Sequence, residues 1–120
     1  MKYMIMMFNQ LCDSLPDRSP EWIAGMHELL IGLDQELREN GELVAGAPLV
    51  DPAQARTVRP GDGGVPVSTD GPYAEIKESL AGYWIVDTSE DRAVQVTSRV
   101  VAYTGQPMEL RRIMDEPPQS

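Results

Sequence analysis

At 120 residues the chain is ordinary for one domain and short for two, and its 42% hydrophobic content argues against disorder. Nineteen acidic against ten basic residues give a net charge of -9, a surface that repels nucleic-acid phosphates and anionic membranes alike. A single cysteine, Cys12, excludes an intrachain disulfide, no ligand cluster calls for a metal or cofactor, and no apolar run reaches the ~18 residues of a membrane span.

Tyr3 to Phe8 is a continuous apolar run of strand length, the pattern of a central strand covered on both faces. It is too short for the core of a secretion signal; with the unpaired cysteine, this predicts a cytoplasmic protein. Asn9 to Asp17 is polar and reads as a loop. Ser19-Pro20-Glu21 starts a helix: a capping hydroxyl, a proline where no N–H is needed, and an acid at the positive end of the dipole. Trp22, Ile23, Met26, Leu29, Leu30, Leu33 and Leu37 follow at helical spacing, and Asn40-Gly41 ends the helix.

Glu42 to Leu49 reads as a strand. Ala55–Arg59 and Val65–Thr69 flank the dense turn Pro60-Gly61-Asp62-Gly63-Gly64, so they read as a hairpin. Leu80 to Asp87 is a strong strand. Thr88-Ser89-Glu90-Asp91 starts a second helix, which Gly105-Gln106-Pro107 closes, and Met108 to Met114 is the last strand. The order β-α-β-β-β-β-α-β predicts an α+β fold of the ferredoxin-like, split βαβ kind with an antiparallel sheet. Residues 1–115 form the expected domain and 116–120 a flexible tail. Helices cover one sheet face, and the strands are apolar on both. A second copy of the chain is the expected cover for the other, giving a homodimer.

The segment Asp70-Gly71-Pro72-Tyr73-Ala74-Glu75-Ile76-Lys77-Glu78 crowds four charges and a tyrosine before Leu80-Ala81-Gly82-Tyr83-Trp84. It resembles the YCII-related family, and within it the subgroup named for an Asp-Gly-Pro-Phe motif. Met1-Lys2-Tyr3-Met4, Ser19-Pro20-Glu21, Gly41 with Gly46 and Leu49, Thr57-Val58-Arg59 and Glu109-Leu110-Arg111 extend the likeness along nearly the whole chain. The resemblance implies a ferredoxin-like fold that dimerises into an α/β barrel. It also implies a setting beside alternative sigma factors and, among relatives, small lyases using a His–Asp pair. Here the only histidine, His27, lies inside the first helix and does not match the family's position. Tyr73 stands where the subgroup has Phe.

Asp70 beside Tyr83 and Trp84 is the candidate acid/base, although Asp before Gly-Pro also suits a simple turn. Tyr73 is a candidate hydrogen-bond donor and His27 a weaker catalytic candidate at the edge of its helix. Glu75, Lys77, Tyr83 and Arg111 are candidate contacts for a small anionic or aromatic ligand; a charge cluster of this kind is also often just a solvated turn. Cys12 lacks a positive neighbour in sequence and reads as unreactive. The leading expectation is a small-molecule-binding protein with lyase- or isomerase-type acid–base activity, its cleft lying between sheet and first helix and edged by the Asp70–Glu78 segment. The rival is a non-catalytic interaction protein whose acidic surface docks a basic partner such as a sigma factor.

Overall fold

A computed structural model describes residues 1–116. The tail expected over 116–120 lies outside them but for Glu116. In chain order the elements are β1 (Lys2–Phe8), α1 (Asn9–Ser14), α2 (Pro20–Glu39), β2 (Leu43–Pro48), β3 (Arg56–Pro60), β4 (Pro66–Asp70), β5 (Leu80–Asp87), α3 (Glu90–Thr104) and β6 (Met108–Arg112). Strands β2-β5-β1-β6 form one four-stranded sheet, antiparallel throughout. With β3 and β4 set aside, this is the ferredoxin-like βαββαβ order, and the α+β expectation holds.

The caps form as the sequence predicts. Ser19 Oγ accepts from the Trp22 N–H at 3.1 Å, and Ser89 Oγ accepts from the Arg92 N–H at 3.2 Å. Gly105 closes α3 at φ +69, where a side chain would be strained. Leu33 and Leu37 of α2, and Ala93, Val96 and Val100 of α3, pack onto Tyr3, Ile5 and Val86 of the sheet.

Two expectations need correction. Asn9–Ser14 is a helix, not loop, because tertiary contacts outweigh its polar composition. Leu11 is buried beneath it, and the Asn9 N–H donates to the Ser79 carbonyl at 2.8 Å. The six strands do not share one sheet: β3 and β4 pair only with each other. Within one chain, β1 is central and the helices cover one of its faces, which leaves the other for the expected second copy. Tyr3 and Ile5 face the helices and are buried; Met4 and Met6 face the other way and stay half-buried.

The β3–β4 hairpin stands off the body, with Val58, Val65 and Val67 exposed. It stretches the radius of gyration to 16.7 Å, against about 14 Å for a compact chain of this length.

Candidate functional site

Between α2 and the helix-facing side of the sheet lies a cleft of about 420 Å³. Its floor is the β2–β5 pair, where Gly46 sits opposite Trp84 and Pro48 opposite Gly82. The glycines keep that floor flat. A methyl at Gly46 would come within 2.6 Å of Trp84 Cδ1, so the indole lies against bare backbone. A methyl at Gly82 would meet only the Ala47 carbonyl at 3.3 Å and Pro48 Cα at 3.5 Å. Met7, Met108 and Leu30 supply flexible apolar wall, which adapts to irregular shapes.

The cleft's charged groups come from one edge of α2. Leu30, Asp34 and Arg38 stand at i, i+4 and i+8, so their side chains stack along one line of the helix. Arg38 Nε donates to Asp34 Oδ2 at 2.7 Å. Ile31, 68% exposed, completes the mouth. An apolar hollow of this volume, closed by a few placed polar groups, is the usual makeup of a small-molecule site.

A second hollow of about 580 Å³ lies between the hairpin base and the body, lined by Leu49, Val50, Val58, Tyr73, Glu78 and Ser79 among others. The residues singled out in the sequence fall into three places. Asp70, Tyr73, Glu75 and Lys77 cluster around this second hollow and the turn that follows it. The Asp70 side chain is 91% exposed, 3.7 Å from Arg56. Tyr73 is 82% exposed, its ring 5.5 Å from the Arg59 guanidinium carbon. Glu75 and Lys77 are exposed at the helical turn Ile76–Glu78. The cleft expected between sheet and first helix exists, but the Asp70–Glu78 segment does not edge it.

Tyr83 and Arg111 come together elsewhere, on the sheet face away from the helices. Met6 pairs with Tyr83 and Glu109, and Met4 pairs with Ile85 and Arg111, so all six share that face. Tyr83 belongs to the cleft wall as well, but strand alternation turns its side chain to this opposite side. Arg111 forms an ion pair with Glu109 along its own strand. His27 stands apart from both groups; it is exposed on α2, one turn before Ile31, and lines neither hollow.

A family model, the YCII-related domain, matches residues 1–116. The chain belongs to the YCII-related family. No curated protein matches this YCII-related chain in sequence.

Two cleft residues escaped the sequence reading, Ile31 and Arg38, while Trp84 was read beside Asp70, which the fold places elsewhere. The signal was present on α2. Ile31 falls off the apolar stripe, and an i,i+4 acid–base pair lies just beyond it on the same side. Cys12 is exposed, but partial desolvation first and then Asp13 and Asp51 raise its thiol pKa, which disfavours the reactive thiolate. No cluster of three or more His, Cys, Asp or Glu residues suited to a metal occurs among the described residues.

Proposed function

We propose that this YCII-related protein binds a small, largely apolar molecule in the cleft between α2 and the sheet. The observation that carries the reading is the cleft itself: about 420 Å³, apolar on nearly every side, with one ion pair at the rim. The geometry gives less support to lyase or isomerase chemistry through Asp70. That carboxylate is open to water and sits beside Arg56, neither of which favours a poised base. No specific observation favours the reading as a sigma-factor partner. On the residues Asp70-Gly71-Pro72-Tyr73 we also assign the chain to the Asp-Gly-Pro-Phe subgroup.

A homodimer belongs to the same proposal. Met4, Met6, Tyr83 and Ile85 make an apolar patch on the sheet face the helices leave uncovered. A second copy presenting the same patch would cover it isologously.

The test is a thermal-shift screen with small ring compounds, on the native chain and on Ile31→Glu. Ile31 is exposed, so the variant keeps the fold. A ligand at a hundred times its dissociation constant adds about 2.7 kcal/mol to stability, a visible shift in Tm. Hits that vanish in Ile31→Glu support the cleft. Hits that persist unchanged there, or a screen without hits, count against it.

A further inference from the structure

We propose that the cleft selects a flat, ring-bearing anion, its ring against Trp84 and the glycine floor and its acidic group on the guanidinium of Arg38; this deepens the cleft-binding reading and rests on it. Among the described residues, Arg38 is the single cation lining the cleft. An arginine has five N–H donors in a rigid fork. Asp34 takes one of them, at Nε, and fixes the plane of the group. Both Nη nitrogens have no hydrogen-bond acceptor among the described residues. They are free to donate side by side, the arrangement that matches a carboxylate or a phosphate.

Position favours an anion over a cation. Arg38 is the more exposed member of the pair at 65%, against 34% for Asp34, so an entering polar group meets the guanidinium first. The Asp34 charge is already matched by Arg38 at Oδ2, so an incoming ammonium would find only Oδ1 open, beside a guanidinium that repels it. The ring follows from the floor. Gly46 and Gly82 put no side chains into the cleft, and the Trp84 indole lies against Gly46. A flat aromatic body can lie on such a surface, where stacking adds to simple burial.

The experiment uses three probes of one shape and different charge: 2-naphthoate, 2-naphthamide and 2-naphthylmethylammonium. Each is titrated calorimetrically into the native chain and into Arg38→Met, a surface change that keeps an unbranched apolar stem and removes the charge. The expected result is that naphthoate binds about tenfold or more tighter than the neutral amide, a difference of about 1.4 kcal/mol. In Arg38→Met that preference disappears while amide binding stays. Added salt should narrow the preference too. Equal affinity for acid and amide, tightest binding of the ammonium, or a preference that survives Arg38→Met would each overturn the anion assignment and leave the cleft reading standing. Failure of all three probes to bind would overturn both.

Discussion

Gly46 has no room for a methyl group, because Trp84 lies 2.6 Å from where its Cβ would be. Gly46→Ala should therefore push the indole out of place and cost about 1 to 3 kcal/mol of stability, read by urea unfolding with a shift in tryptophan emission. Gly25 is confined in the same way. A Cβ there would run into the Tyr103 hydroxyl, which donates to the Trp22 carbonyl at 2.7 Å and ties the start of α2 to the end of α3. These constraints are invisible in a sequence, where glycine signals turns and says nothing of what leans on it from another strand. The charged motif is the converse case. Asp70, Tyr73, Glu75 and Lys77 stand out by composition, yet the fold leaves them exposed. The residues at the cleft rim, Ile31, Asp34 and Arg38, look like ordinary helix surface until β2 and β5 are placed beneath them.

At the scale of elements, the helix ends were legible because their signals are local. Ser19, Ser89, Gly41 and Gly105 act within a few residues of themselves. Helix α1 was not legible, since what folds it is Ser79 and the turn before it, seventy residues on. The tie between α2, α3 and Glu42, just before β2, is likewise non-local. Arg92 donates to Glu36 at 2.7 Å and to Glu42 at 3.2 Å, and Arg99 reaches Glu36 at 2.9 Å. Arg92→Met should cost about 1 kcal/mol, a modest figure because water screens part of the network. The pairing also sets a pH dependence. Both Glu36 and Glu42 are held below their ordinary value of 4.5, chiefly by hydrogen bonds from Arg92. Folding then favours the ionised carboxylates, so their contribution is full above that value and is lost as pH falls through the lowered, folded-state values. Urea midpoints measured from about pH 5 down to about pH 3 should fall more steeply for the native chain than for Arg92→Met. Equal slopes would show that the network does not couple to folding.

For the whole molecule, the βαββαβ order could be read from the alternation of elements, and the structure has it. The detachment of β3 and β4 could not, because a hairpin reads the same whether it joins a sheet or stands alone. An isolated hairpin is marginal in water, and this one exposes three valines. Together with the apolar sheet face, it gives the single chain more uncovered apolar surface than its helices can shield. Sedimentation at micromolar concentration should accordingly report a dimer, and Met6→Glu, which puts a charge on that face, should report a folded monomer. A native chain that sediments as a monomer would remove the second copy.

The cleft remains the central claim, and amide chemical-shift mapping tests it most directly. 2-Naphthoate is added to nitrogen-labelled protein and the perturbed amides are assigned. The account predicts that they cluster at Leu30, Ile31, Asp34, Gly46, Gly82 and Trp84, on the two walls of one cleft. Perturbations confined to Tyr73–Glu78 and the hairpin base, or none at all, would contradict it.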